Sequence, residues 1–141
     1  MLLIGKIPKK VVSLINLEGN LIGEDCKVSR RAISVPYEQF EESLFDQIKR
    51  EIREAKDKSS KLWYEWVCRS DPYGFYYSSK SLVKWSDSRE LLASFLKLKI
   101  DKVYIYGDKN SEIPILKLIR DKVRTISISN SGHFMMLNDA G

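Results

Sequence analysis

Chemistry in this chain centres on one imidazole. The segment SISNSGHFMM, residues 127–136, contains His133, which is the only histidine among the 141 residues. It follows a run of alternating strand-forming residues, and Gly132 frees the backbone just before the ring. In open α/β sheets, reactive groups lie at the carboxyl ends of the strands. His133 is therefore a candidate general acid and base.

Two carboxylates follow other predicted strands in the same way. Glu18 ends the segment SLINLEGN, and Asp108 ends VYIYGDKN. In a parallel sheet the carboxyl ends share one edge, so either carboxylate can meet the imidazole of His133. A carboxylate that orients an imidazole and stabilises its protonated form completes the acid–base part of a nucleophilic triad. The alternative is that all three are ordinary polar loop residues, and the residues alone leave both interpretations open.

Three short segments that are rich in β-forming residues and bounded by turn residues predict buried parallel strands. They are KKVVSLINLEG, DKVYIYGD and VRTISISNSG. Between the last two, SEIPILKLIRDK carries a helical apolar stripe, and strand, helix and strand in succession predict a right-handed crossover. We therefore expect an α/β fold with a short parallel sheet of about three strands.

A long helical insertion is predicted between the first and second strands. An amphipathic helix over residues 36–55 is indicated by apolar side chains at every fourth position, namely Phe40, Leu44, Ile48 and Ile52. An aromatic run over residues 61–85 follows, and turn residues near Pro72 break it into two pieces. Aromatic residues at helical spacing usually form a core. The alternative is a helical lid whose aromatic underside faces a substrate pocket.

Composition excludes several classes of protein. The 24 basic and 19 acidic residues give a net charge of +5, but they alternate at helical spacing over residues 46–61, which is typical of a solvated helix rather than a nucleic-acid surface. Cys26 and Cys68 fit neither a metal site nor a disulfide framework. No glycine-rich phosphate loop follows a strand, so we expect no cofactor. The apolar start is short and broken by lysines, which predicts a cytoplasmic protein without a membrane span.

Two segments near the carboxyl end resemble the last strands of α/β-hydrolases. In KVYIYGDKNSEIPILKLI and RTISISNSGHFMMLND, as in that superfamily, a Gly-x-x-acid loop and a Ser-Gly-His loop follow consecutive strands. VVSLINLEGNL with its helical insertion resembles the strand before the lid, so the resemblance covers residues 9–139. It implies a partial α/β-hydrolase fold, in which residues 1–22 and 98–141 form the carboxyl-terminal part of the core. Residues 23–97 are then the helical cap and the returning helix, and His133 is the general base.

The resemblance leaves two candidates for the triad acid. Asn110 stands at the fourth place of the Gly-x-x-acid loop and cannot carry the charge, while Asp108 stands two residues earlier. Some branches, haloalkane dehalogenases among them, take the acid from the end of the strand that precedes the cap. Glu18 matches that position. The resemblance therefore favours Glu18, with Asp108 as the alternative.

The family's Gly-x-Ser-x-Gly nucleophile elbow does not occur in these residues, since Gly19 and Gly23 flank Leu21. Ser131 lies in the same loop as His133 and is poorly placed for in-line attack. The resemblance thus implies a hydrolase fragment with the base and acid of a triad but no nucleophile, which is inactive by itself.

Two kinds of partner follow from the resemblance. A sheet that lacks its earlier neighbouring strand exposes a bare edge, so we expect a homo-oligomer or a complementing chain. A small apolar substrate is expected once a nucleophile-bearing half completes the site. The alternative function is a non-catalytic binding or interaction module derived from a hydrolase.

Overall fold

The computed structural model describes residues 10–55 and 58–137 and divides into two compact units. Of the described residues, the first unit, here called the sheet unit, comprises 10–25 and 84–135. The second, the helical unit, comprises 26–55, 58–83 and 136–137. Of the predicted site residues, Glu18, Asp108 and His133 all belong to the sheet unit.

The described residues form the following strands and helices. In chain order they are β1 (Ser13–Leu17), α1 (Lys27–Ala32), α2 (Tyr37–Gln39), a π-helical turn (Phe40–Leu44), α3 (Phe45–Glu54), α4 (Lys58–Cys68), α5 (Pro72–Asp87), α6 (Glu90–Lys97), β2 (Asp101–Gly107), α7 (Pro114–Ile119) and β3 (Arg124–Ile128). Single turns of 3-10 helix cover Gly23–Asp25, Asp108–Asn110 and Met135–Leu137.

The sheet has three strands in the order β1-β2-β3, and both pairings are parallel. The α/β class and the short parallel sheet that the sequence predicts are therefore confirmed. In the register, Leu17 of β1 lies opposite Ile105 of β2, and Gly107 of β2 lies opposite Ile128 of β3. All three strands consequently end at one edge of the sheet, which is the edge where Glu18, Asp108 and His133 are predicted to meet.

One face of the sheet packs against a buried apolar core. Tyr104 of β2 contributes from the strand side, and Phe95 of α6 and three residues of α7 contribute from the helices. The complete buried set is Leu21, Ile22, Phe95, Tyr104, Ile115, Leu116, Ile119 and Val123. Helix α6 thus contributes to the core of the sheet unit. It corresponds to the predicted returning helix of the insertion.

The opposite face of the sheet carries exposed apolar side chains. Side chains alternate between faces along a strand, so Ile15 and Leu17 of β1 lie on the face that Tyr104 does not occupy. Ile15 is 61% exposed and Leu17 is 40% exposed. Ile128 of β3, which pairs with Gly107 on the same side, is 36% exposed. Parallel sheets ordinarily bury both faces, so this apolar surface is unusual for the topology.

The helical unit has an aromatic core of its own. Phe40, Phe45 and Phe75 lie within 5.2 to 6.0 Å of one another by ring centroid, and Tyr76 is buried beside them. Of the aromatic run over residues 61–85, Tyr76 is buried in this core. Three further rings pack against it partly buried, namely Trp63, Tyr64 and Phe75, whereas three are exposed, namely Trp66, Tyr73 and Tyr77.

The predicted four-residue stripe is interrupted by the π-helical turn. That turn adds one residue to the helical repeat, so Phe45 is buried at 2% exposure and Leu44 only partly. Phe40, Ile48 and Ile52 are buried, as the stripe predicts. The amphipathic helix exists, but its apolar face changes register in the middle.

Among the residues that the structure describes, no helix combines the length and the apolar character needed to cross a bilayer.

Candidate functional site

Glu18 occupies a turn directly after β1. Its backbone N–H still donates to the carbonyl oxygen of Ile105 at 3.0 Å, which extends the strand pairing by one bond. The chain then turns, because Glu18 has a φ of 43°, in the left-handed region that residues other than glycine rarely adopt. The turn is closed by the N–H of Gly19, which donates to the side chain of Asn16 at 2.6 Å. Left-handed residues of this kind persist where the surroundings fix them, and they concentrate at functional sites.

Three donors converge on the Glu18 carboxylate, which is only 5% exposed. The backbone N–H of Gly107 donates to Oε1 at 2.8 Å. The side-chain amide of Asn110 donates to Oε2 at 2.8 Å, and Nδ1 of His133 lies 2.9 Å from the same oxygen. Residues from the ends of all three strands thus meet at one buried carboxylate.

Opposing effects set the protonation state of Glu18. Burial is the largest effect and raises its pKa, but the hydrogen bonds from His133, Gly107 and Asn110 together outweigh it. The net result is a pKa below the ordinary value of 4.5. Glu18 is therefore ionised at neutral pH and acts only as an acceptor. The bonding network accordingly assigns the proton of a neutral His133 ring to Nδ1, which leaves the lone pair on Nε2.

The His133 ring is fixed on one side and open on the other. Its side chain is 53% exposed, and the ring of Phe134 lies edge-on at a centroid distance of 4.8 Å. Within residues 10–55 and 58–137, no group hydrogen-bonds to Nε2. An oriented imidazole with an accessible Nε2 can accept a proton from a hydroxyl that approaches from outside these residues.

Asp108, the alternative acid, has a different position. Its carboxylate accepts hydrogen bonds from the backbone N–H groups of Asn130 at 2.9 Å and Ser131 at 3.1 Å. The bond from Asn130 is the main reason that the pKa of Asp108 lies below its ordinary value. Asp108 thus holds the backbone of the loop that carries His133, while Glu18 holds the ring.

Close packing reinforces this connection at Gly107. A Cβ atom at that position would clash with the backbone of Ser131 and lie 2.5 Å from the carbonyl oxygen of Gly132. The N–H of Lys109 also donates to the carbonyl of Ser131 at 3.1 Å. The glycine is needed for this close approach of two loops rather than for backbone freedom, since its φ of −76° is ordinary.

The structure brings two of the predicted site residues, His133 and Glu18, into contact. Two further residues, Gly107 and Asn110, bind the same carboxylate, although the sequence pattern assigns neither of them a role in the site. The amide of Asn110 was itself the available signal, because an uncharged donor beside a carboxylate stabilises the ionised form. Ser131 is 1% exposed and its hydroxyl donates to the carbonyl of Ser129 at 3.0 Å, a geometry that does not favour attack on a substrate.

No group of three or more His, Cys, Asp or Glu side chains that could hold a metal ion occurs in the described part of the chain. No protein-family model, curated protein or solved structure matches the chain. The relationship to α/β-hydrolases therefore stays a prediction.

Proposed function

We propose that this chain carries the general base and the orienting acid of an α/β-hydrolase-type site, with His133 as the base and Glu18 as its acid. The observation that carries the proposal is the 2.9 Å contact between Nδ1 of His133 and the buried Oε2 of Glu18. Because Glu18 is ionised, it favours the ring tautomer in which Nε2 can accept a proton.

The proposed reaction needs a hydroxyl nucleophile from outside the described residues. As that hydroxyl attacks the carbonyl carbon of an ester or amide, Nε2 of His133 takes its proton and the ring becomes an imidazolium. Glu18 stabilises the positive charge without accepting the proton. The imidazolium then returns the proton to the leaving alcohol or amine as the tetrahedral intermediate collapses, and water repeats the sequence on the acyl intermediate.

A completing partner follows from the same proposal. The exposed face around Ile15 and Leu17 belongs to the sheet that carries Glu18 and His133. A nucleophile-bearing segment that paired with β1, an edge strand of the described sheet, would extend the site along that sheet, and a segment over this face would bury its apolar side chains. A second copy of the chain remains the other expected occupant. The proposal of a small apolar substrate depends on the resemblance.

A serine-directed fluorophosphonate tests the proposal, in parallel with hydrolysis of a p-nitrophenyl ester. Both are applied to the 141-residue chain and to a chain extended by the coding sequence upstream. We expect no serine labelling and no turnover above background in the shorter chain. Where the upstream sequence encodes a Gly-x-Ser-x-Gly elbow, the extended chain should be labelled and should turn over the ester. The H133Q variant of the extended chain should lose turnover by about 100-fold or more.

Two results would contradict the proposal. Serine labelling of the shorter chain would mean that its own residues supply the nucleophile. An extended chain with an elbow whose turnover is unaffected by H133Q would remove His133 from the reaction. Upstream DNA that encodes no elbow in any frame would favour the non-catalytic binding module instead.

A further inference from the structure

Asn110 stands where the resemblance predicts an acid, and its side chain has one described partner. It ends the 3-10 turn Asp108–Asn110 that follows β2, and its backbone carbonyl accepts from the N–H of Ile113 at 3.1 Å. This anchoring holds the side chain near the end of β1. There Nδ2 donates to Oε2 of Glu18 at 2.8 Å.

The two oxygens of Glu18 are held separately. Gly107 binds Oε1 through its backbone N–H, and Asn110 binds Oε2 through its amide, so the carboxylate plane is fixed without any contribution from His133. The imidazole consequently meets an acceptor that is already oriented. Preorganised acceptors of this kind avoid the cost of reorganisation when charge develops on the ring.

We propose that Asn110 is a positioning residue of the Glu18–His133 pair, which fixes Oε2 toward the ring and, because it is uncharged, keeps the carboxylate ionised. This inference rests on the proposed function, since a general base benefits from an ionised partner only if it becomes protonated during a reaction. It also explains why the predicted acid position holds an amide. With the acid on β1, the residue at the end of β2 must donate rather than repel.

An aspartate at position 110 would reverse this role with almost no change in shape. Two carboxylates in hydrogen-bond contact cannot both ionise easily, and they share a proton instead. Glu18 would then titrate at higher pH and would compete less well for the Nδ1 proton. An alanine would remove the donor without adding charge, so it should have a smaller effect in the same direction.

Two nuclear magnetic resonance measurements on the full 141-residue chain test the inference. The first is the pH titration of the Glu18 side-chain carboxyl carbon, assigned by its absence in E18Q. The second is the tautomer ratio of the single histidine, measured from long-range proton–nitrogen couplings at alkaline pH. Among the described residues, the titratable groups that interact with Glu18 are His133 and Tyr104.

N110D should raise the Glu18 titration midpoint by about one pH unit or more and should increase the fraction of the Nε2–H tautomer. N110A should raise the midpoint less. S111D is the matched control, because it adds a negative charge to the next residue, whose hydroxyl has no hydrogen bond to described residues. It should leave both measurements close to those of the unmodified chain.

If N110A and N110D both titrate like the unmodified chain, the inference is overturned. If N110D shifts no further than S111D, general charge rather than the shared oxygen explains the effect, and the inference also fails. N110A decides the matter if N110D does not fold. Neither measurement needs a nucleophile. If N110D and N110A shift the Glu18 midpoint as expected, while an extended chain with an elbow turns over the ester and is unaffected by H133Q, the proposed function is refuted and this inference about Asn110 stands.

Discussion

Replacing Gly107 by alanine tests whether close packing of two loops positions His133. The added Cβ would lie 2.5 Å from the carbonyl oxygen of Gly132, and it would also clash with the backbone of Ser131. A carbon–oxygen contact needs about 3.3 Å, so the carbonyl oxygen of Gly132 must retreat by about 0.8 Å, and that of Ser131, which is closer still, by more. Both obstacles are backbone atoms, which cannot rotate away as the end of a side chain could. Overpacking of this kind costs about 1–3 kcal/mol of the free energy of unfolding.

The same displacement should separate His133 from Glu18. The contact between His133 and Glu18 is 2.9 Å long, and the loop carries the histidine. A retreat along that direction would lengthen it to about 3.7 Å, beyond the range of a hydrogen bond. We therefore expect G107A to lose both stability in urea denaturation and the Nδ1–H tautomer of His133.

Gly132 provides the matched control for this experiment. A Cβ atom at Gly132 would meet nothing within 4 Å, and no described glycine has a positive φ. G132A should therefore unfold within about 0.5 kcal/mol of the unmodified chain and keep the tautomer. If G107A is as stable as G132A and retains the tautomer, close packing at Gly107 does not hold the histidine in place.

Three further predictions concern individual carboxylates and one phenol. E18Q should lower the free energy of unfolding in urea at pH 7 by about 1–3 kcal/mol. The ionised carboxylate accepts hydrogen bonds at both oxygens, whereas the amide of glutamine would place an NH₂ group opposite a buried donor. Because the pKa of Glu18 in the folded chain lies below 4.5, the stabilisation by its ionised carboxylate is fully present above pH 4.5 and is lost as the pH falls through the folded-state pKa. The difference in the free energy of unfolding between E18Q and the unmodified chain should therefore shrink at low pH. A difference that stays constant with pH would contradict this assignment. D108N should accelerate hydrogen exchange at the backbone amides of Asn130 and Ser131 and should leave the Glu18–His133 contact in place. Loss of the Nδ1–H tautomer in D108N would instead mean that Asp108 helps to orient the ring of His133. The hydrogen bond to Glu41 raises the pKa of Tyr37 to about 12, so E41Q should lower the midpoint of that phenol in an ultraviolet titration, with Y37F identifying the signal.

The three strands could be predicted from the sequence because each is a short apolar run between turn residues. The parallel pairing of β2 with β3 follows from the helix between them, which requires a crossover. The π-helical turn could not be predicted in this way. Residues 40–45 read FEESLF, so Leu44 and Phe45 can each continue the stripe from Phe40. Ring packing among Phe40, Phe45 and Phe75 accompanies the burial of Phe45, and these contacts join residues that are distant in sequence.

The residue types and their spacing leave Glu18 and Asp108 equally possible as the carboxylate that meets His133, for a geometric reason, and only the resemblance favours Glu18. Glu18 and Asp108 both follow parallel neighbours, and the register of β1 and β2 brings both strand ends to the same edge. Spacing along the chain therefore cannot distinguish them. The difference is in the donors that each carboxylate receives. Those of Asp108 come from the backbone of the histidine loop, whereas those of Glu18 include the ring itself.

Whether the acid stands at the end of β1 or at the end of β2 determines which residues must surround it. A buried carboxylate keeps its charge only if enough donors surround it, so an acid at the end of β1 requires donors at the end of β2. Gly107 and Asn110 meet this requirement with a backbone N–H and an uncharged amide. An acid at position 110 would require the opposite arrangement, with a donor in place of Glu18. The two positions therefore constrain each other, and the double variant E18N/N110D should recover part of the Nδ1–H tautomer that each single variant loses. Equal loss in the double variant and the single variants would mean that only β1 can present the acid to His133.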